Sequence, residues 1–150
     1  MTEVRFYHLI RASLESTLPV MLERSLARGQ RAVVQCSSPE RVEALANHLW
    51  IYAEASFLPH GTARDGQGAE QPVWLTAEDE AAPNGAKVLF LTDGANSARL
   101  ADYDLCAILF DGKDEAALAA SRSLWKALKE TGHALSYWQQ DEGGSWSQKA

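Results

Sequence analysis

The chain has 150 residues, 14 Lys and Arg against 20 Asp and Glu, and a formal net charge of −6. With 46% hydrophobic and 23% charged residues, the composition excludes a disordered polyelectrolyte. A sequence pI near 5.2 argues against a strongly basic nucleic-acid binder, because such affinity depends on Lys and Arg neutralising phosphates.

At about 100–200 residues per domain, the length predicts one domain over residues 1–150. Such a chain buries enough apolar surface to fold without a metal or disulfide staple. Cys36 and Cys106 are far apart, lack a CxxC partner and sit in apolar runs, so both are expected to be buried, reduced thiols. Two cysteines and four scattered histidines do not provide the close spacing of a metal site. No stretch approaches the ~18 apolar residues of a membrane span, and Met1–Arg5 has no apolar leader, so a cytoplasmic location is expected.

Val4 to Ile10 is short, β-branched and aromatic and predicts a first strand. Leu14, Leu18, Met21, Leu22 and Leu26 recur at helical spacing and stop at Arg28-Gly29. Pro19 lies inside this pattern, so the regular helix is expected to begin near it. Arg31 to Cys36 predicts a second strand. Ser37-Ser38-Pro39-Glu40 predicts a helix start, and Val42, Leu45, Ala46 and Leu49 form one apolar face ending at Trp50-Ile51.

Residues 61–71 are Gly-rich and polar and read as a loop. Strands are expected at Val73–Leu75, Lys87–Leu91 and Asp104–Phe110; the last two are nearly continuous in apolar residues, as strands covered on both faces should be. Asp114 to Thr131 is the clearest helix, stopped by Gly132. Ala134 to Gln139 predicts a last strand, and 141–150 reads as a polar tail holding Trp146. Strands alternating with helices indicate a three-layer α/β fold around a mainly parallel sheet.

Such a fold often binds nucleotides, but the turns after the first two strands, Arg11–Ser16 and Ser37–Glu40, contain no glycine, and no GxGxxG or GxxxxGK[ST] occurs. No cofactor is therefore expected. Asp93-Gly94 and Asp111-Gly112 follow strands, at the ends where α/β sites form. They read as Asp-Gly turns, with Asp111 or Asp114 capping the next helix. The alternative function is a small α/β enzyme, phosphoryl-acceptor or nucleotide-binding domain using Asp93 and Asp111. No GxSxG elbow occurs, and His8, His48, His60 and His133 show no triad spacing. No catalytic residue is assigned.

Two features are less ordinary. Trp50, Tyr52, Phe57, Pro59 and His60 gather where a helix gives way to a Gly loop, which fits either core packing or a partner surface anchored by aromatics. On the helix from Asp114, Ala117, Ser121, Leu124 and Leu128 make the stripe expected to face the sheet. Arg122, Trp125, Lys126 and Lys129 make an adjacent stripe. This is either a solvated basic face or a small cationic surface with an aromatic floor, suited to an acidic peptide with an apolar end. Direct single-strand binding through Trp50, Trp125 and Trp146 is disfavoured by the net charge.

These residues carry a family resemblance. Phe6-Tyr7 in an opening strand, Arg28-Gly29-Gln30-Arg31-Ala32-Val33, Leu49-Trp50 followed by Ser56-Phe57-Leu58-Pro59-His60, and Arg122-x-x-Trp125-Lys126 before Gly132 resemble the chi subunits of bacterial DNA polymerase III. The resemblance implies a Rossmann-like domain without a phosphate-binding loop. It also implies a non-catalytic adaptor that links the clamp loader, through its psi subunit, to the acidic C-terminal tail of single-stranded-DNA-binding protein. On that reading Arg122, Trp125 and Lys126 hold the tail, and DNA is reached only indirectly. Phe57, Pro59 and His60, with Trp50 nearby, meet psi. A basic residue common in the family one turn before Arg122 is Leu118 here, and Lys129 is expected to supply charge at the other end.

Overall fold

The computed structural model describes residues 2–10, 12–51, 59–141 and 145–150. Its strands are β1 (Glu3–Leu9), β2 (Ala32–Gln35), β3 (Gly61–Thr62), β4 (Val73–Thr76), β5 (Val88–Leu91), β6 (Leu105–Asp111), β7 (Ala134–Gln140) and β8 (Trp146–Gln148). The helices are α1 (Leu14–Ala27), α2 (Pro39–Ile51) and α3 (Glu115–Lys129). The strands form one sheet in the order β3-β4-β2-β5-β6-β1-β7-β8. Every neighbouring pair is parallel except β7 and β8.

The three-layer α/β architecture follows from the apolar runs. The central strands β2, β4 and β5 are buried at every position, so helices or loops must cover both faces. On one face Leu18 and Leu22 of α1, with Leu45 and Leu49 of α2, pack on Val34, Leu75 and Leu109. On the other, Leu128 of α3 and the segment carrying Leu100 and Tyr103 pack on Phe6, Leu89, Leu91 and Ile108. The stripe read on α3 lies as expected, with Ser121 and Leu128 buried and Ala117 and Leu124 half-buried.

Three expectations are corrected. First, α1 begins at Leu14 rather than near Pro19. Ser13 caps it, its hydroxyl accepting from the Ser16 N–H while the Ser16 hydroxyl accepts from the Ser13 N–H. Pro19 has no N–H to offer the carbonyl of Glu15, which would leave a backbone acceptor unsatisfied. His48 on α2 meets that carbonyl through Nε2 at 2.5 Å. A break in one helix thus becomes a tie between two.

Second, the Gly-rich stretch is not all loop: it holds β3 and a single 3₁₀ turn at Gly68–Glu70. Third, the polar tail is part of the sheet. Trp146 pairs with Gln140 and Gln148 with Trp138, and the Trp146 ring meets Tyr7 edge-on at 5.1 Å. Short, polar β8 carries too weak an alternation to read as a strand, and β7 selects it by offering an open edge.

A buried side chain ties the turn before β5 to the sheet. Asn84 donates from Nδ2 to the Ala32 and Gln71 carbonyls at 3.2 and 2.9 Å and accepts from the Ala86 N–H at 3.1 Å. Among the described residues no helix is long and apolar enough to cross a membrane.

Cys36 and Cys106 are buried free thiols, as expected. Burial pushes the Cys36 thiol up to about 11 and raises that of Cys106 as well. Because the thiolate is the reactive form, neither should react with a chromogenic disulfide reagent at about pH 8 in the folded protein. Both should be titrated once the chain is denatured; rapid reaction of either in native buffer contradicts the packing described here.

Candidate functional site

Helix α3 is built as an amphipathic cover. Asp114 caps it, its carboxylate accepting from the N–H groups of Ala116 and Ala117 at 3.0 and 3.3 Å. Glu115 sits in the first turn and Lys126 and Lys129 in the last, each complementing the helix dipole. At about 100° per residue, Arg122 and Lys126 are only ~40° apart around the axis, and Trp125 and Lys129 fall in the same arc. Arg122, Lys126 and Lys129 are exposed and Trp125 is half-buried.

The indole is neither sealed nor loose. It stands edge-on to Phe6 of β1 at 5.3 Å and to Tyr137 of β7 at 6.1 Å. The register that sets Phe6 opposite Tyr137 makes this floor. Two residues on, His8 joins it, with its ring 5.1 Å from Phe110 and Nδ1 2.7 Å from the Tyr137 hydroxyl. Its other nitrogen, Nε2, faces Gly112. Burial, aided by Arg122, holds the imidazole below its ordinary value, against Gly112 and Asp111, which raise it. Burial raises the Tyr137 phenol, with Arg122 acting in the opposite direction. Arg122 is thus electrostatically part of the same patch.

Sequence reasoning missed Phe6, His8, Phe110 and Tyr137 as the floor of this face. The available signal was alternation in β1 and β7, but nothing in the sequence places β7 beside β1.

The second aromatic group divides. Trp50 is 51% exposed, whereas His60 is 5% exposed beneath it, ring to ring at 4.5 Å, with Nε2 3.0 Å from the Ala46 carbonyl. Pro59 is half-buried, and Phe57 lies outside the described residues.

The strand ends carry a third arrangement. A cavity of about 730 Å³ opens between the starts of α1 and α3, lined by Glu15, Arg41, Asp93, Asp111 and Asp114 among others. It lies where open α/β sheets place their ligands. Here its carboxylates and Arg41 are committed within the chain, and Lys113 also lines it. Arg41 donates from Nε to Asp93 at 2.8 Å and from Nη2 to Glu15 at 3.0 Å. Asp93 turns the chain in the left-handed region at φ 54°, Asp111 accepts from the Lys113 N–H at 2.9 Å, and Asp114 is the cap. The Glu15 carboxyl lies below its usual range: burial opposes ionisation, and backbone and Arg41 hydrogen bonds outweigh it. A phosphate entering here would meet carboxylates at both helix starts, where phosphate sites offer bare N–H groups. Among the described residues no cluster of three His, Cys, Asp or Glu could hold a metal.

These features define a doubly wound α/β domain with a crevice at the strand ends lined by its own carboxylates and an aromatic, cationic patch on α3. The family model described as DNA polymerase III chi subunit, HolC, matches residues 1–136, and the chain belongs to that family, which places it in DNA replication. A relative in Rickettsia prowazekii (strain Madrid E), described as a probable DNA polymerase III subunit chi, is 27% identical over 100 residues. That match covers 67% of this chain and 60% of the relative.

Two measurements probe the floor of the patch. A Cβ at Gly112 would stand 1.8 Å from His8 Nε2 and 2.8 Å from the Leu9 carbonyl oxygen. Gly112→Ala should therefore cost about 1–3 kcal/mol in denaturant unfolding, the range for an overpacked site; an unchanged midpoint contradicts the contact. Because His8 is held below its ordinary 6.5 in the folded state, the unfolded chain takes up that proton first as pH falls. Stability from this group is therefore full above 6.5 and is lost as pH falls below it. Melting curves at about pH 7.5 and pH 5.5 should show a smaller loss for His8→Gln than for the natural chain.

Proposed function

We propose that this chi-family protein is a non-catalytic adaptor of the DNA polymerase III holoenzyme. In this reading it captures the acidic C-terminal tail of single-stranded-DNA-binding protein and connects it to the clamp loader in the bacterial cytoplasm. The observation that carries this reading is the half-buried Trp125 indole with exposed Arg122 and Lys126 on the same arc of α3. The tail's terminal carboxylate and neighbouring acidic side chains pair with Arg122 and Lys126. Its aromatic or apolar end lies against the free edge of Trp125. Lys129 extends the positive field beyond Lys126, at the opposite end from Leu118.

Magnitudes assign the roles. Exposed ion pairs contribute only ~0.2–1 kcal/mol each. An aromatic pair adds about 0.5–1.5 kcal/mol beyond area burial. Micromolar affinity corresponds to about 8 kcal/mol, so desolvating the tail's apolar end must supply most of it. The cations set orientation and exclude neutral ends.

The clamp-loader side falls to the Trp50 region, with Phe57 and Pro59, meeting psi where that subunit is present. Trp50 supports this as a large exposed apolar side chain. His60 supports it from below, by fixing the Trp50 ring. The rival reading, chemistry at Asp93 and Asp111, is weakened by the commitment of both carboxylates to turn and ion-pair contacts.

Titration calorimetry of the full chain with a short acidic peptide ending in an aromatic residue tests the α3 site. Arg122→Ala should weaken binding by about fivefold, the upper end of an exposed pair, with an unchanged melting curve. Trp125→Leu, which keeps an apolar contact to Phe6, should weaken it by about tenfold. Affinity should also fall as salt rises to about 0.5 M. Unchanged affinity in both variants rejects the site.

A further inference from the structure

The sheet has a second aromatic and cationic surface, on the face opposite α3. Alternation along β1 sends Arg5 and Tyr7 to the α1 side, and the same alternation in β7 sends Trp138 there, opposite Tyr7 in the register. The Tyr7 and Trp138 rings lie near-parallel, at 26° and 6.4 Å, and Trp146 of β8 closes the row. Arg5 sits over Trp138 with its guanidinium carbon 5.8 Å from the ring centroid. Along the other wall, Arg24 and Arg28 project from the end of α1 and are exposed. These six side chains line a groove of about 220 Å³. Among the described residues no helix packs over β7 and β8 on this face, and Arg24 and Arg28 make no ion pair. Arg5 pairs with Glu3 at 2.9 Å and donates from Nη1 to the Tyr7 hydroxyl at 3.4 Å.

We propose that this groove binds a short run of single-stranded nucleic acid, with bases on Tyr7, Trp138 and Trp146 and phosphates on Arg5, Arg24 and Arg28. Aromatic rings on adjacent strands of an uncovered sheet face are a recurrent platform for unpaired bases. Stacking supplies affinity without sequence preference, and an arginine fork matches phosphate geometry. An acidic peptide suits the groove less well. β1 is paired on both sides within the sheet, and the edge strand beside the groove, β8, is three residues long, so an extended peptide finds little backbone edge to join there. The net charge of −6 does not decide the matter. At physiological salt, charges more than about 8 Å away are largely screened, and the arginines at the groove dominate its local field. The proposal is independent of the α3 tail site.

The test is fluorescence anisotropy of the full chain with a labelled oligothymidylate of about ten nucleotides. Three neutralised phosphates predict a slope of about −2 for log affinity against log salt, so threefold more salt weakens binding about tenfold. Arg24→Ala with Arg28→Ala, both exposed, should leave the melting curve unchanged and reduce the slope to about −0.7. Trp138→Leu should weaken binding by about thirtyfold, the middle of the range for losing one stacked base. Arg122→Ala should have no effect. The proposal is overturned if the natural chain does not bind at low salt or if the double variant binds as well as it does. It is also overturned if binding depends on Arg122 instead, or if a glutamate-rich peptide binds the groove more tightly than the oligonucleotide.

Discussion

Strand β1 is hydrogen-bonded in parallel to β6 on one side and to β7 on the other, and the character of two surfaces depends on that double register. Pairing Phe6 with Tyr137 and His8 with Phe110 assembles four aromatic rings from three distant stretches of chain. Trp125 comes to rest on them and is held half in and half out. Slipping β1 by one residue would turn Phe6 and His8 to the opposite face and remove the floor. The buried apolar strands beyond β6 therefore do more than stabilise the domain: they fix the register on which the α3 patch stands.

The readable part of the fold was the part determined locally. Continuous apolar runs such as 88–91 and 105–110 can only be covered strands, and the spacing on α3 showed both its buried stripe and its cationic one. What escaped depended on distant partners. Pro19 reads as a helix boundary because the sequence cannot show that His48 will meet the carbonyl it releases. Residues 146–148 read as tail because their alternation is too short to signal a strand until β7 offers an edge. Likewise Arg122, Trp125 and Lys126 follow from helical spacing, while His8 and Tyr137 beneath them are supplied by sheet order.

The crevice at the strand ends differs from a phosphate-binding one in two ways. Glycines are missing from the turns, but the stronger obstacle is electrostatic. Glu15 and Asp114 stand at the two helix starts, and Arg41, the nearby cation, is held between Asp93 and Glu15. Arg41 is thus satisfied from within, and Lys113 is the further cation on the lining.

On the faces of the sheet a single alternating strand serves two purposes. Phe6 and His8 support the underside of α3, while Arg5 and Tyr7, one position away, open onto the groove beside α1. Because successive side chains point oppositely, a change in one set reaches the other only through the backbone. Crowding at Gly112 acts on His8 and the Leu9 carbonyl, on the floor beneath Trp125, and leaves Trp138 and Trp146 without a direct contact. The two surfaces are therefore carried on one strand yet separable by substitution, and the thickness of the sheet stands between them.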